Sequence, residues 1–389
     1  MQRILDTAPL ALALLLLGCG GGGSGSPAPA PSPAPVPTPS ATPTPTPTTT
    51  AVTQRAIATF DNPWAMVFLP DGRLLVTEKP GKLQLVTAAG AKTEVAGVPS
   101  VTYSGQIGLQ DVALDPAYAT NARVWLSYAE PASGGQRLAV AEATLNLSGA
   151  PKLESLAVVW RATPATTGGQ LGARLAFSPD GRYLFVTSGE RQQGTPAQDL
   201  TGTLGKIVRL NLDGTPAAGN PFAGTANARP EIWTLGHRNP YGLVFASDGR
   251  LFESEMGPMG GDEFNLIEAG KNYGWPNVSE GDNYDGTAIP RHATNPAYTP
   301  PLLSWTPVIA PGGMIQYHGS RFAGWTGDFI LAGLVQQGIV RVRVAGGAAM
   351  EAARISLGAR IREVEEAPDG SIWVLQDGSA AKLIELQPG

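Results

Sequence analysis

The residues best suited to chemistry are concentrated in one stretch of the chain, from Thr234 to Pro276. It combines a basic residue, a turn with exposed carbonyl groups and two adjacent acids. The members are the pair Arg238 and Asn239, the turn Gly257–Pro258, the acids Asp262 and Glu263, and the aromatic segment 272–276. Guanidinium groups bind anionic oxygens, whereas carbonyl and carboxylate oxygens bind hard cations such as Ca²⁺. The stretch therefore predicts a site for an anionic ligand that is bound together with a hard cation.

These residues need a scaffold, and the pattern of the remaining chain indicates that it is made of β-strands. From residue 51 onwards, short runs of alternating apolar residues are separated by turns, which is typical of an all-β protein. A unit of strand, turn and strand recurs six times, beginning at Asn62, Gly108, Gly172, Asn239, Met314 and Ile361. Asp-Gly at many of its turns favours tight hairpins.

The repeat length predicts the architecture. Six copies between residues 51 and 389 leave roughly 50 residues or slightly more for each, which suits four-stranded blades with loop insertions. A single unit cannot bury both of its faces, so neighbouring units must stack. The sequence predicts a six-bladed β-propeller with four-stranded antiparallel blades over 51–389. Its chemistry is expected on the loops at one mouth of the central channel.

The N-terminal residues predict export and attachment to a membrane. An apolar run, Leu10–Leu17, is too short to span a bilayer and ends just before Cys19, the single cysteine. This favours a lipoprotein signal over residues 1–18 with a lipid on Cys19; the alternative is an ordinary secretory signal. Residues 20–50 are rich in Gly, Pro, Thr and Ser, which predicts a disordered, extended tether. We expect a lipid-anchored protein on the periplasmic face of the cell envelope, with the outer membrane favoured by Gly20.

Composition excludes some classes of partner. The net charge is −5, only 15% of residues are charged and no basic run is present, which argues against a nucleic-acid partner. With one cysteine the chain has no internal disulfide, so its stability must come from its core and its sheets.

Several motifs together resemble a known family. LGKIVRLNLDGT, GHRNPYGL, GPMGGDEFNLIEAGKNYGWP and RIREVEEAPDG occur in this order. In this the chain resembles the soluble aldose dehydrogenases of the glucose/sorbosone type that depend on pyrroloquinoline quinone (PQQ). The resemblance implies oxidation of the C1 hydroxyl of a sugar to the lactone, with PQQ and Ca²⁺ as cofactors and electrons passed to an external acceptor.

The resemblance also implies roles for individual residues. Arg238 would act at the reactive quinone oxygens, in catalysis as well as in cofactor binding. The other implied cofactor-binding residues are Gln106, Asn239, Trp305, Arg360 and Arg362, with Gln198 a weaker candidate near the sugar. The implied metal ligands are Gly257 and Pro258 for the catalytic Ca²⁺, and Glu263 and Tyr273 for a structural one. Because Arg360 and Arg362 alternate on one strand, an anion is expected between them.

The chain departs from the family pattern at two positions. Gln170 stands where the family has its base histidine, and a glutamine amide does not accept a proton at neutral pH. Gln336 stands where a lysine often reaches the cofactor. The other histidines are His237, expected to be a hydrogen-bonded core residue, and His292 and His318, for which no catalytic role is apparent.

These departures leave alternatives open. The first is a PQQ-dependent sugar dehydrogenase whose activity depends on what replaces the histidine. The second is a propeller that retains the fold and a calcium or ligand site as a binding module. A gluconolactonase-like Ca²⁺ hydrolase is a third, which would require a Glu/Asn/Asp metal cluster in the channel.

Overall fold

The computed structural model describes residues 51–389, so the predicted leader, Cys19 and tether lie outside the described residues. Six antiparallel sheets of four strands each form the molecule. This confirms the prediction of an all-β, six-bladed propeller with four-stranded blades. No helix within residues 51–389 is long and apolar enough to cross a bilayer.

The blades follow one another along the chain, except that the first strand, β1 (Val52–Phe60), belongs to the last blade. Blade 1 contains β2–β5 (Pro63–Phe68, Leu74–Glu78, Lys82–Val86, Lys92–Glu94). Blade 2 contains β6–β9 (Leu109–Leu114, Arg123–Ala132, Gly135–Asn146, Lys152–Arg161). Blade 3 contains β10–β13 (Gly172–Phe177, Tyr183–Ser188, Lys206–Asn211, Ile232–Leu235).

The second half of the chain is built in the same way, with one insertion. Blade 4 contains β14, β15, β17 and β19 (Pro240–Phe245, Leu251–Glu255, Asp262–Ile267, Leu303–Trp305), and a separate small sheet pairs β16 (Met259–Gly260) with β18 (Gly281–Asp282). Blade 5 contains β20–β23 (Pro311–Gln316, Phe329–Gly333, Gly338–Ala345, Ala348–Ser356). Blade 6 contains β24–β26 (Ile361–Glu366, Ile372–Gln376, Ala381–Pro388) and β1. The helical segments are short: α1 (Tyr118–Asn121) and the 3₁₀ turns Thr195–Gln198 and His292–Thr294.

Pairing between the two ends of the described chain closes the ring. β1 pairs antiparallel with β26 from Val52 opposite Pro388 to Phe60 opposite Ala381. Arg55 forms an ion pair with Glu385 across this junction. Because β1 completes the sheet, β26 has no exposed edge on that side.

The first strands of the six blades pack side by side around the channel, and a charged cluster fills its centre. The third residues of these strands are Ala65, Asp111, Arg174, Gly242, Gly313 and Glu363. The small residues leave room for the Arg174 guanidinium, which lies 3.1 Å from Asp111 and 2.7 Å from Glu363. A Cβ on Gly313 would lie 1.7 Å from Oε1 of Glu363, so a larger residue there would displace this carboxylate. Arg174 thus connects blades 2, 3 and 6.

The connections divide between two faces. The Asp-Gly hairpin turns join the first and second strands at one face, which we call the bottom face. The loops between the second and third strands, and those entering each first strand, lie at the other, the top face. All of the predicted site residues except Tyr273 and Arg362 lie on these top-face loops or at the strand ends beside them.

Candidate active site

The pair Arg238 and Asn239 is positioned by its backbone. Both residues lie in the loop that enters β14, and the backbone N–H groups of both donate to Oε2 of Glu255 at the top of β15. The other oxygen of Glu255 contacts Nδ1 of His237 at 3.1 Å. Nε2 of His237 is 2.9 Å from the Thr234 hydroxyl. His237 is fully buried, which agrees with the expected core role.

The Arg238 side chain reaches the Gly-Pro corner. Its Nη1 donates to the carbonyl oxygens of Met256, at 3.0 Å, and Gly257, at 2.7 Å. Its Nη2 donates to the Tyr284 hydroxyl at 3.2 Å, and the guanidinium lies 5.3 Å from the centre of the Trp275 ring. The structure therefore brings the predicted cation and the predicted carbonyl turn together.

A cavity of about 270 Å³ opens beside Arg238 on the top face. Residues from four separate loops and from the blade 4 insertion line it. They include Gln170, Glu190, Arg238, Pro258, Trp275 and Tyr284. Trp275 and Tyr284 reach the cavity because the insertion between β17 and β19 rises alongside β13, where Leu235 bridges Asn272. Residues predicted for catalysis, Gln170 and Arg238, thus line the same cavity as Pro258, which was predicted for the metal site.

Gln170 lies in a tightly held loop. Its backbone N–H donates to Oε1 of Gln106 at 2.8 Å, which places these two predicted residues side by side. Arg191 is buried and donates to the carbonyl oxygens of Gly168, at 2.6 Å, and Gly169, at 2.9 Å. Burial lowers the pKa of Arg191 to about 10, which still leaves it cationic at neutral pH. Gln170 itself has φ of 50°, a left-handed conformation.

Glu190, which sequence reasoning missed, is a carboxylate in this cavity. It is 1% exposed, and its backbone N–H donates to the Arg238 carbonyl at 3.0 Å. Burial raises the pKa of Glu190, opposed by hydrogen bonds from the backbone of Gly194 and Gln193 and by the charge of Arg238. A signal was present in the sequence, because the second strands of blades 1, 3 and 4 end at an acid or two residues before one: Glu78, Glu190 and Glu255.

A second cationic group lies at the junction of blades 6 and 1. Arg360 and Arg362 both bind Asp377, at 3.1 and 2.8 Å. The anion expected between them is therefore at least partly a carboxylate of the chain itself. Arg362 also lies 5.6 Å from the ring of Tyr241, across the channel. Lys79 is 6% exposed, and burial, followed by repulsion from Arg362, lowers its pKa. Sequence reasoning did not identify Lys79.

A buried acidic cluster lies below the Gly-Pro corner. Glu253 and Glu255 share one face of β15, and Glu255 lies opposite Glu263 on β17. Nδ2 of Asn265 donates to both Glu253 and Glu263, at 3.0 and 3.2 Å. Burial and the neighbouring Glu255 raise the pKa of Glu253 and that of Glu263 well above the usual range. Within residues 51–389, Oε1 of Glu253 and Oδ1 of Asn265 are buried without a hydrogen-bond partner.

The predicted ligands Glu263 and Tyr273 border a second, very small cavity of about 10 Å³ beside this cluster. Arg238, Gly257 and Gly261 also border it, so it adjoins the Gly-Pro corner. The carbonyl oxygen of Tyr273 lies 3.0 Å from Nε2 of His292, whose Nδ1 lies 3.0 Å from Glu280. His292 therefore supports the aromatic segment and does not line the 270 Å³ cavity.

Three predicted cofactor or sugar contacts lie elsewhere in the structure. Trp305 is on the outermost strand of blade 4, 3% exposed, with its indole N–H donating to Glu351 at 2.7 Å. Gln336 accepts a hydrogen bond from Arg354, on the outermost strand of blade 5. Gln198 binds Asn272 and the Trp275 carbonyl, so it holds the aromatic segment. The aromatic side chains that do face the cavity are Trp275 and Tyr284.

His318 is far from this site. It follows β20 at the bottom face, and its Nδ1 lies 3.8 Å from Glu366. None of the three histidines is therefore among the residues that line the 270 Å³ cavity within the described chain.

Comparisons with known proteins agree with the geometry. A family model for Glucose / Sorbosone dehydrogenase matches residues 60–385. Aldose sugar dehydrogenase YliI of Escherichia coli is 38% identical over 337 residues, covering 84% of this chain and 90% of the relative. The apo-form crystal structure of the soluble aldose sugar dehydrogenase from E. coli superposes with a TM-score of 0.82 at 35% identity, covering 87% of this chain and 100% of that one.

A further solved structure is the PQQ-bound form of an aldose sugar dehydrogenase from Streptomyces coelicolor. Its TM-score is 0.71 at 28% identity, and the match covers 87% of this chain and 98% of that one. The sequence resemblance is thereby confirmed at the level of the family. The chain belongs to the glucose/sorbosone dehydrogenase family.

Proposed function

We propose that the protein is a PQQ- and Ca²⁺-dependent aldose dehydrogenase that oxidises the C1 hydroxyl of a sugar to the lactone. Electrons would pass to an external acceptor. The observation that carries the proposal is the shared cavity in which Arg238, Gln170 and the Gly257–Pro258 corner meet. The PQQ-bound relative supports the choice of cofactor.

The residues present fit a flat, multiply charged quinone. Arg238 supplies a cation at the cavity, and Lys79, Arg360 and Arg362 supply others around the mouth. Trp275 and Tyr284 offer ring faces against which a planar ligand can pack. We propose that Arg238 and Asn239 hold the quinone oxygens and that the arginines of blade 6 hold its carboxylates. Gln336 does not add the lysine that relatives often have.

The residues present also fit calcium. Ca²⁺ prefers oxygen ligands, including carboxylates and backbone carbonyls, and the Gly-Pro corner provides both kinds. The buried oxygens of Glu253 and Asn265 that lack a partner among the described residues point to the same chemistry. We propose that Gly257 and Pro258 hold a catalytic Ca²⁺ through their carbonyls, with Glu263 and Tyr273 at a structural one. The Gly257 carbonyl would then exchange its hydrogen bond from Arg238 for the metal.

The roles of the chain's own groups follow from these positions. PQQ with Ca²⁺ would supply a two-electron oxidant that accepts hydride from the sugar. Arg238 would orient the reacting oxygens and stabilise developing negative charge. Gln106 and Gln170 would bind sugar hydroxyl groups through their amides. Gln170 does not take up the hydroxyl proton, so it replaces only the binding part of the family histidine's role.

Gln170 is also the specific observation that favours a second candidate function. A propeller without a proton acceptor would bind PQQ and Ca²⁺ with little turnover, since loss of general base catalysis typically costs about 10²–10⁴ in rate. In that case the protein would act as a binding module.

Reconstitution tests both candidates. The purified full-length protein is titrated with PQQ and Ca²⁺ while cofactor absorbance is recorded, and aldoses are then added with a reducible dye. The dehydrogenase proposal expects binding followed by sugar-driven dye reduction, both lost with a calcium chelator. Arg238→Gln is expected to weaken PQQ binding. Arg250→Gln, on the bottom-face turn of the same blade, is the matched control. Binding without dye reduction favours the binding module, and absence of binding overturns both.

We also propose that the protein is anchored in the cell envelope through a lipid on Cys19, with residues 20–50 as the spacer. The support is the sequence pattern alone. Cys19→Ser is expected to move the protein from the membrane fraction to the soluble periplasmic fraction and to abolish incorporation of labelled fatty acid. Equal membrane association of both forms would contradict the anchor.

A further inference from the structure

We propose that Glu190 is the proton acceptor of this enzyme and takes the place of the family histidine that Gln170 replaces. This inference rests on the proposed function. It concerns the one carboxylate that, within the described chain, lines the 270 Å³ cavity.

Glu190 is held between the loop that carries Arg238 and the loop that carries Gln170. On one side its backbone N–H donates to the Arg238 carbonyl at 3.0 Å. On the other side Gly189 packs directly on the Gln170 loop, because its N–H donates to the Leu171 carbonyl at 3.0 Å. A Cβ on Gly189 would lie only 2.1 Å from the Gln170 carbonyl oxygen. Glu190 therefore lies next to the position where the family places its base.

The carboxylate is held rigidly. Oε2 of Glu190 accepts hydrogen bonds from the backbone N–H groups of Gln193 and Gly194. Arg191, the next residue along the chain, is fixed by three backbone carbonyls, those of Gln136, Gly168 and Gly169. The two backbone hydrogen bonds to Oε2 fix the orientation of the carboxylate. A proton acceptor with a fixed position loses little entropy when the substrate binds.

The charges around Glu190 suit a base that works near neutral pH. The charged groups that face it are Arg238, from the loop before β14, and Arg191, from its own loop. Both are cations and favour the ionised carboxylate, whereas burial opposes ionisation. The net effect is to raise the pKa of Glu190, which brings it closer to the operating pH of a general base.

The O–H bond of the C1 hydroxyl breaks, and its proton forms a new O–H bond on the Glu190 carboxylate. The C1–H bond breaks with its electron pair, and that hydride goes to the o-quinone, the two-electron oxidant of the proposed function. The sugar carbon is oxidised to the lactone carbonyl. Glu190 then returns its proton to solvent through the open mouth of the cavity.

The test compares wild type, Glu190→Gln, Gln170→His and the double variant, each loaded with PQQ and Ca²⁺. The glutamine amide oxygen still accepts the backbone hydrogen bonds of Gln193 and Gly194, so the loop is retained. We expect Glu190→Gln to lower kcat by about 10²–10⁴ with little change in the PQQ affinity measured by absorbance. The double variant should regain activity, with a pH profile displaced towards about 6.5, the usual histidine pKa. Glu231→Gln removes a carboxylate that is 2% exposed at the far end of blade 3 and is the matched control.

A second measurement does not depend on turnover. Infrared difference spectra of the apoprotein against pH should contain a protonated-carboxyl band that is missing from Glu190→Gln and present in Glu231→Gln. An unchanged kcat in Glu190→Gln, or the absence of this band difference, overturns the inference. If wild type binds PQQ but only Gln170→His oxidises sugar, Glu190 is not the acceptor although the family chemistry stands. If no variant binds PQQ, the proposed function itself fails.

Discussion

Tyr284 lines the cavity with 74% of its surface accessible, and yet it is bonded to the residue that orients the chemistry. Its hydroxyl accepts a hydrogen bond from Arg238, and its ring lies 5.8 Å from the same guanidinium. A ring in this position can cover a sugar that enters the cavity.

We expect Tyr284→Ala to raise the KM for sugar more than it lowers kcat. Loss of a partly exposed cation–π contact is worth about 0.5–1 kcal/mol, which corresponds to an increase of about two- to five-fold. Tyr284→Phe keeps the ring and should show a smaller effect. Steady-state kinetics with an aldose and a dye provides the measurement. Tyr298→Phe, in the same insertion but bonded to Asn277, is the control, and equal KM values in all variants would contradict the role.

The motifs predict contacts between residues whose neighbours are close in the sequence. Arg238 and Gly257 are separated by one hairpin, and their contact could be predicted from the GHRNP and GPMGG motifs. Asp377 could not be predicted as the partner of Arg360 and Arg362, because it lies in a different top-face loop of blade 6. Trp305 was expected at the cofactor; in the structure it is buried in the core of blade 4, on the outermost strand.

Among the elements, the loop that joins β11 to β12 has no room for a side chain at Gly189. Gly189→Ala would place a Cβ 2.1 Å from the Gln170 carbonyl oxygen, a backbone atom that cannot rotate away. We expect a loss of about 1–3 kcal/mol in the free energy of unfolding, together with weaker PQQ binding, because the Gln170 loop must shift.

Gly224→Ala is the matched control for this prediction, since a Cβ there meets no atom within 4 Å. Its free energy of unfolding should change by less than about 0.5 kcal/mol. Denaturant titration of the two variants checks the difference, and equal stabilities would show that the close approach at Gly189 is not a constraint.

β1 is the strand at which we expect the folded domain to begin, and two truncated variants test this. A variant that lacks residues 1–50 keeps β1 and should unfold within about 2 °C of the full chain. A variant that lacks residues 1–60 exposes the edge of β26 and removes Phe60, which is 2% exposed. We expect its Tm to fall by at least about 5 °C, with aggregation through the open edge. Circular dichroism during heating provides the measurement, and identical melting of both variants would contradict closure by β1.

The fold as a whole could be predicted because each blade repeats the same local signals, and six such units have few ways to bury their faces. The contents of the channel could not be predicted in the same way. Asp111, Arg174 and Glu363 occupy the same position in three strands that are far apart in sequence. These three side chains come into contact only when the ring of blades closes, and a local sequence pattern does not contain that information.

This central cluster gives the whole molecule a dependence on pH. Burial raises the pKa of Glu363 to about 7, although Arg174 opposes the shift, against 4.5 for an ordinary glutamate. A carboxyl group whose pKa is raised by folding stabilises the folded state below its unfolded pKa, and this stabilisation is lost as pH rises through the folded pKa. The apoprotein should therefore lose stability between about pH 4.5 and pH 7.

The expected size of the Glu363 contribution is about 2–4 kcal/mol, because each pKa unit is worth about 1.4 kcal/mol. Glu363→Gln keeps the shape but cannot titrate, so its free energy of unfolding should fall less steeply over this range, even if its stability is lower throughout. Denaturant titrations with a chelator present, at several pH values, compare it with Glu94→Gln on the exposed strand β5. Parallel pH profiles for wild type and Glu363→Gln would mean that Arg174 keeps Glu363 ionised throughout, and that the channel centre is a permanent ion cluster rather than a titrating one.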